Sequence, residues 1–296
     1  METDHDVLHR FQLERAGVRG AIVRLEQSWQ DICAHSDYAE PVQRLLGQTV
    51  AASALFTSVI KFEGRLSIHL RDEGPLQLLF AECSHDGRVR GIARWEGASP
   101  QTPITLGNAD ARLAITIENA VTDTRYQGLV PVEGDTMAAA FEGYFERSEQ
   151  LPTRIVLAAR AGRCAGIMLQ RMPGEGGIAT TVDADAWNRV THLLATLSDD
   201  ELLELPIDIL LLRLFHEESV RLQPAQTIGF ECTCSRERVA SMLRSLGEEE
   251  GEATLAEQGS IEVTCEFCNR QYSFDRVDVA AVFALSPLEQ ASTTPQ

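Results

Sequence analysis

The sequence predicts an α+β protein: a strand-rich N-terminal domain with packed helices, then a helical linker region, then a small C-terminal domain with four cysteines. Three observations predict this order. Antiparallel strand patterns fill the first half, Leu-rich helical patterns follow a glycine-rich segment, and two cysteine pairs lie near the end. The length of 296 residues agrees with about two domains. We place the boundaries at 1–173, 174–228 and 229–286, with a flexible tail at 287–296.

The N-terminal domain is predicted from period-two patterns and one long helix. His5 and His9 lie in a segment that we expect to be loose. Apolar and small residues recur at helical spacing over 40–60, and Gly64 ends this helical region. Strands are predicted at VRGAIVRL (18–25), RLSIHL (65–70), PLQLLFAEC (75–83), RVRGIARW (88–95) and RLAITIEN (112–119).

The linker region begins with MPGEGG (172–177), which is the clearest breaker signal in the chain. A helix is predicted over 185–197. Ser198 and Glu201 then form a capping-box pattern, and Pro206 interrupts the Leu-rich helical stretch that follows. Such short helices are unstable alone, so we expect them to dock on another part of the protein.

The C-terminal part alternates helix and strand patterns. A helix is predicted over 235–246, followed by an acidic loop. Short strands are predicted at 260–265 and 271–274, and a helix or turn at 277–283.

Charge and motif content exclude several classes of protein. The chain has 26 basic and 44 acidic residues, for a net charge of −18, and Lys61 is its only lysine. This charge repels phosphate backbones, so no nucleic-acid partner is expected. No long apolar run, basic cluster or signal-peptide pattern occurs, which predicts a cytoplasmic protein without membrane contact. No Walker, G-x-S-x-G or H-E-x-x-H motif supports an enzyme.

The cysteines carry the chemistry. Cys232 and Cys234 form one close pair, Cys265 and Cys268 another, and 30 residues separate the pairs. Two close pairs at this separation are typical of a tetrahedral four-thiolate zinc site, and all-cysteine ligation argues against hydrolysis. The alternative is four buried apolar thiols. The other cysteines, Cys33, Cys83 and Cys164, are predicted to be inert packing residues.

Neighbouring residues favour metal binding. Ser235 is predicted to cap the following helix, which places Cys234 at its positive end. Arg236, Arg238 and Arg270 flank the pairs and favour thiolates, or they are ordinary solvated residues. Asn269 is suited to a left-handed turn after the second pair. A structural zinc is the simplest interpretation.

A redox switch is also physically available. Zinc contributes roughly 10–16 kcal/mol to the folding of small zinc modules, whereas a whole domain has a stability of about 5–15 kcal/mol. Oxidation of the thiolates would eject the metal, unfold this part and allow the Leu-rich helices to undock. A thiol-disulfide oxidoreductase and a constitutive zinc-stabilised scaffold remain as alternatives.

Several segments resemble the redox-regulated 33 kDa heat-shock chaperonin family, a family of bacterial holdases. FECTCSRERV and TCEFCNRQYSF are similar to its zinc signature, and LFHEESV to the segment that precedes it. The resemblance runs nearly end to end and includes RGAIVRL, YQGLVPVEGDT and YFERSEQLPT.

The resemblance implies a mechanism and partners. The four cysteines would hold one Zn²⁺ when reduced and form disulfides Cys232–Cys234 and Cys265–Cys268 when oxidised by peroxide or hypochlorite. Zinc would leave, the linker would unfold, and a homodimer would hold unfolding client proteins without ATP.

Overall fold

The computed structural model describes residues 4–98, 100, 104, 106, 111–172 and 185–284. The chain forms two compact units, Met1–Glu231 and Cys232–Gln296. Most of the segment 172–177 and the tail 287–296 lie outside the described residues. None of the described helices is long and apolar enough to cross a membrane. The mixed α+β class is confirmed, whereas the boundaries at 173, 228 and 286 stay predictions.

The first unit is built from two mainly antiparallel sheets and six α-helices among its described residues. Its strands are β1 Val7–Leu13, β2 Val18–Leu25, β3 Gly64–Arg71, β4 Leu76–Ser84, β5 Arg88–Trp95, β6 Arg112–Asn119, β7 Thr124–Pro131, β8 Thr153–Arg160, β9 Arg163–Arg171, β10 Val220–Leu222, β11 Gln226–Thr227 and β12 Gly229–Phe230. Its helices are α1 Gln27–Cys33, α2 Glu40–Val59, α3 Met137–Tyr144, α4 Ala186–Leu194, α5 Asp199–Glu204 and α6 Ile207–Phe215.

Strand order defines the two sheets. The first has the order β10-β1-β2-β9-β8, with β11 also paired to β1. The second has the order β12-β5-β4-β3-β6-β7, in which only the short β12 runs parallel to its neighbour.

Helix α2 lies between the sheets and contacts β4 and β5 of one and β8 and β9 of the other. Because both sides of the helix are covered, its small residues are buried, and Ala51, Ala52 and Ala54 have no exposed surface. The run of small residues seen in the sequence therefore permits close approach of two sheets to one helix. The predicted strands and this helix are confirmed.

The Leu-rich helices dock on the first sheet, as predicted. Side chains of α4, α5 and α6 share an apolar cluster with strands β1, β2 and β9; its members include Phe11, Ile22, Leu169, Val190, Leu202, Leu210 and Phe215. Phe11 and Phe215 stack with ring centroids 6.3 Å apart. The capping box is confirmed, because Ser198 accepts from the amide of Glu201 while the Glu201 carboxylate accepts from the Ser198 amide.

Polar contacts supplement this docking. Arg24 is buried on β2 and its Nε donates to the carbonyl oxygen of Leu202 at 2.9 Å. Arg189 on α4 pairs with Glu218 at 2.6 Å, and only 2% of the Glu218 side chain is exposed. Each pair retains a buried polar atom without a hydrogen bond, Nη2 of Arg24 and Oε2 of Glu218. The docked interface therefore combines buried apolar side chains with two charged groups whose hydrogen bonds are not all made.

Two predictions about local structure were wrong. The segment around His9 is not loose, because Val7–Leu13 forms β1, which is paired with both β2 and β10. Tertiary pairing with distant strands gives order to a segment that lacks a clear local pattern. The expected acidic loop is a helix, described below, although its sequence is charged.

The second unit has three helices and one hairpin among its described residues: α7 Arg236–Leu246, α8 Glu248–Gln258, β13 Ile261–Thr264, β14 Gln271–Phe274 and α9 Arg276–Ala284. Helix α8 forms because three glutamates occupy its first turn, where they favour the helix dipole, and because Leu255 is buried. Gly259 ends it in a left-handed conformation at φ +80°. The unit's core consists of eight buried side chains.

Gly20 provides a test of packing in the first unit. A Cβ atom at Gly20 would lie 2.2 Å from the ring of Phe11. We expect Gly20→Ala to lower the free energy of unfolding by about 1–3 kcal/mol, because the ring cannot move without disturbing its contact with Phe215. Gly143→Ala, within α3 and with no atom within 4 Å of the added Cβ, should raise stability by about 0.5–1 kcal/mol. Urea denaturation followed by circular dichroism measures both, and equal values for the two variants would contradict this account.

Candidate metal centre

Two short segments of the second unit carry the four cysteines. Cys232 and Cys234 lie directly before α7, and Cys265 and Cys268 lie in the turn that connects β13 to β14. The turn is closed by hydrogen bonds from the Cys265 amide to the Arg270 carbonyl oxygen at 2.9 Å and from the Asn269 amide to the Cys265 carbonyl oxygen at 2.8 Å. Asn269 has φ +53°, which confirms the predicted left-handed turn.

The start of α7 is held against the hairpin. Ser235 caps the helix as predicted, accepting a hydrogen bond from the amide of Arg238. Arg236 donates to the carbonyl oxygen of Ser273 at 2.8 Å and pairs with Asp278 at 2.8 Å. Its guanidinium also lies over the ring of Phe274, 4.3 Å from the centroid. These contacts fix Cys234 beside the hairpin turn.

The four sulfur atoms converge on one point. All lie within 4.8 Å of one another. The Sγ atoms of Cys232 and Cys265 are 3.6 Å apart, and those of Cys234 and Cys268 are 3.4 Å apart. Tetrahedral zinc with sulfur ligands at about 2.3 Å requires sulfurs separated by about 3.8 Å, so the donor set fits such an ion. The separations are too long for disulfide bonds, which measure about 2.05 Å, and all four cysteines are free.

The thiols ionise unequally. Burial opposes ionisation of Cys234, but hydrogen bonds from Tyr272 and Cys268 outweigh it and lower the pKa of this thiol to about 7. The Tyr272 hydroxyl donates to Sγ of Cys234 at 3.1 Å. Burial instead raises the pKa of Cys232 and of Cys268. One thiolate is thus favoured before any cation binds, and a cation would stabilise the others.

The flanking arginines divide into two groups. Arg270 lies close enough to Cys234 and Cys268 for their charges to raise its own pKa, after the larger effect of Tyr272. Arg236 and Arg238 instead bind backbone carbonyls, of Ser273 and Thr233 respectively. Their main effect is to position backbone.

Sequence reasoning did not identify Tyr272 as a site residue. Tyr272 lies opposite Val263 in the hairpin, and this register turns its hydroxyl toward the cysteines. In the sequence, the one indication of this role is that Tyr272 lies in the second of the two short strand patterns on either side of Cys265 and Cys268.

The remaining cysteines lie outside this site. Cys83 and Cys164 are buried in the main core of the first unit, and Cys33 is partly buried against it. Burial raises the pKa of Cys33 and Cys83 to about 12, and burial also raises the pKa of Cys164 well above its ordinary range. Their surroundings fit the predicted packing role. His5 and His9 do not form a metal site; His5 pairs with Glu26 and His9 contacts the Gln223 carbonyl oxygen.

Comparison with known proteins gives a consistent result. The 33 kDa chaperonin of Nitrosococcus oceani is 44% identical over 280 residues, which cover 95% of each chain. That of Pseudomonas fluorescens strain Pf0-1 is 40% identical over 294 residues, covering 98% of each. The crystal structure of the 33 kDa chaperonin of Thermotoga maritima shares the fold, with a TM-score of 0.76 and 21% identity over 94% of this chain and 97% of that one. A family model described as Hsp33 protein matches residues 6–275, and the chain therefore belongs to the Hsp33 family.

Proposed function

We propose that this chain is a holdase that is switched on by oxidation of Cys232, Cys234, Cys265 and Cys268, which bind one Zn²⁺ in the reduced protein. The Hsp33 family is one of chaperones and not of enzymes, and this chain is a redox-regulated chaperone of that family. The observation that carries the proposal is the convergence of four sulfurs within 4.8 Å in a unit with a small apolar core. Held by these four cysteines, Zn²⁺ would cross-link the segment before α7 to the β13–β14 turn.

Oxidation would remove those cross-links. Each molecule of hypochlorite or peroxide takes two electrons from one pair of thiols, forms one S–S bond, and is reduced to chloride and water or to water alone. We expect the bonds Cys232–Cys234 and Cys265–Cys268, which leave no sulfur ligand for the cation. Bonds between such near neighbours restrict the unfolded chain little, so they do not replace the stability that the metal contributed.

The docked helices of the first unit supply a surface that such a switch could expose. Helices α4–α6 cover apolar side chains of β1, β2 and β9, including Phe11, Leu13 and Leu169. Undocking of these helices would uncover a contiguous apolar surface suited to unfolded clients. We propose that the oxidised chain forms a homodimer and acts in the cytoplasm, where free cysteines are maintained.

The geometry disfavours a thiol-disulfide oxidoreductase. In such enzymes the C-x-x-C pair precedes a helix, whose dipole stabilises the attacking thiolate. Here Cys265 and Cys268 lie in a hairpin turn instead. The cysteine whose pKa is lowered, Cys234, belongs to the other pair.

Zinc content tests the metal assignment. We expect about one Zn²⁺ per reduced chain, and we expect Cys268→Ser to lose it, because three sulfurs cannot complete a closed tetrahedral site. Cys33→Ser is the matched control and should retain zinc, since Cys33 lies in the first unit. A chromogenic chelator after thiol modification measures the metal. Full zinc content in Cys268→Ser would refute the ligand assignment.

Suppression of aggregation tests the function. The reduced, zinc-loaded chain should leave the light scattering of a thermally unfolding enzyme unchanged, whereas the hypochlorite-treated chain should lower it without ATP. Zinc release measured in the same samples should precede the effect. Release without any change in scattering would mean that the metal is purely structural.

The buried pair of Arg189 and Glu218 tests the role of helix docking. Arg189→Met leaves the buried Glu218 carboxylate uncompensated, which should destabilise docking by about 3 kcal/mol. We expect faster proteolysis within α4–α6 and activation at a lower hypochlorite dose. Arg213→Met is the control, because it removes an exposed pair with Glu201 and should cost less than about 1 kcal/mol. Identical proteolysis of both variants would show that the buried pair does not hold these helices.

A further inference from the structure

A row of residues without formal charge crosses the outer face of the second sheet. Register places five side chains side by side on neighbouring strands, in the order Leu129, Ala114, His69, Phe80 and Ile92. Side chains alternate along a strand, and the opposite face of these strands is the one buried against α2. With strands about 4.8 Å apart, the row spans about 19 Å.

The row is apolar in character. The His69 ring meets Phe80 edge to face at 4.6 Å, and its burial lowers the His69 pKa, so this ring is neutral at physiological pH. Phe80 and Ile92 are buried at their end of the row, and the guanidinium carbon of Arg90 lies 5.9 Å from the Phe80 centroid. Leu129 at the other end is 64% exposed. An aliphatic contact surface is therefore available at the β7 edge.

Arginines border this row on both sides. Seven of them occupy outward-facing positions of β3 to β7: Arg65, Arg71, Arg88, Arg90, Arg94, Arg112 and Arg125. We call this set, together with the row, the arginine face. The same positions carry only two carboxylates, Glu82 and Glu118. The outward positions of β3 to β7 therefore carry more basic than acidic side chains, whereas the chain as a whole has a net charge of −18.

Some of this charge is neutralised by neighbours. Arg90 pairs with Glu82 at 3.0 Å, Arg125 with Glu118 at 3.8 Å, and Arg88 with Glu231 at 3.3 Å. Within the described part of the chain, Arg65 and Arg71 on β3 form no ion pair. Both lie on β3, the central strand of the arginine face, one on either side of the row.

We infer that the arginine face binds an extended acidic polypeptide segment. The aliphatic side chains of that segment lie over the row at Leu129, and its carboxylates lie beside Arg65 and Arg71. A row of about 19 Å matches about six residues of extended chain. This inference rests on the proposed function in that the occupant is a segment of a client protein. The face belongs to the first unit and lies opposite α2, so a short peptide can reach it without oxidation, whereas holding an unfolding client still requires the apolar surface that undocking of α4–α6 uncovers.

The face suits polypeptide better than nucleic acid. Single-stranded nucleic acids bind by stacking bases on exposed aromatic rings, and the one phenylalanine in the row is only 8% exposed. The exposed member, Leu129, is aliphatic. A local positive surface would also allow an acidic client to approach a chain whose overall charge repels it.

Fluorescence anisotropy of the reduced, zinc-loaded full-length chain tests the inference. The probe is a fluorescein-labelled peptide in which Glu and Leu alternate. We expect measurable binding that weakens at high salt and that Arg65→Glu/Arg71→Glu weakens about tenfold. The control, Arg244→Glu/Arg276→Glu, makes the same change in net charge at exposed positions of α7 and α9 and should bind within about twofold of the original chain.

Three further arms separate the alternatives. Leu129→Ser should weaken binding of the Glu/Leu peptide. A Glu/Ser peptide should bind weakly, and equally so, to the original chain and to Leu129→Ser. Equal loss in both charge-reversal variants would show a general charge effect and overturn the assignment. Tighter binding of a single-stranded oligonucleotide than of the peptide would overturn it in favour of nucleic acid. Zinc content and urea denaturation confirm that each variant is folded.

Aggregation assays distinguish this inference from the proposed function. After oxidation, Arg65→Glu/Arg71→Glu should protect a basic client as well as the original chain does, and an acidic client less well. If the oxidised original chain protects neither client while peptide binding follows the expected pattern, the holdase proposal fails and the binding face stands. If both clients are protected equally by the variant, the face is not a client site.

Discussion

The convergence of four cysteine sulfurs is the constraint on which the second unit depends. Its core has eight buried side chains, which is small for a domain that must fold without a cross-link. The segment before α7 and the β13–β14 turn meet at the sulfurs. Four thiolates at such distances repel one another unless a cation lies between them. The charge state of these four sulfur atoms therefore bears directly on the stability of this unit.

Docking of the helices in the first unit follows a different physical balance. Apolar burial of leucines and aromatic rings against the first sheet supplies the favourable free energy. Arg24 and Glu218 oppose it in part, because each retains a buried polar atom without a hydrogen bond. A fully apolar interface would be harder to open. These two residues therefore lower the net stability of docking relative to a fully apolar interface.

Charge is distributed unevenly over the chain. Acidic residues dominate α5 and α8, whereas the outer positions of β3 to β7 carry seven arginines. A net charge of −18 determines solubility and long-range repulsion. It gives no indication of the basic surface on the second sheet, where strand alternation brings together arginines that are far apart in sequence. Expectations about partners drawn from net charge alone therefore apply to the average surface only.

Local patterns in the sequence determined the strands of the hairpins, the long helix α2, the capping box at Ser198 and the four-cysteine set. In each case neighbouring residues carry the information, through side-chain periodicity, cap chemistry or ligand spacing. The tertiary structure alone decided what depends on distant pairing. Strand β1 exists because β2 and β10 pair with it, and α8 is ordered by burial of Leu255 in the core that includes residues of α9. The contact of Tyr272 with Cys234 and the row from Leu129 to Ile92 arise from strand register, which no single segment encodes.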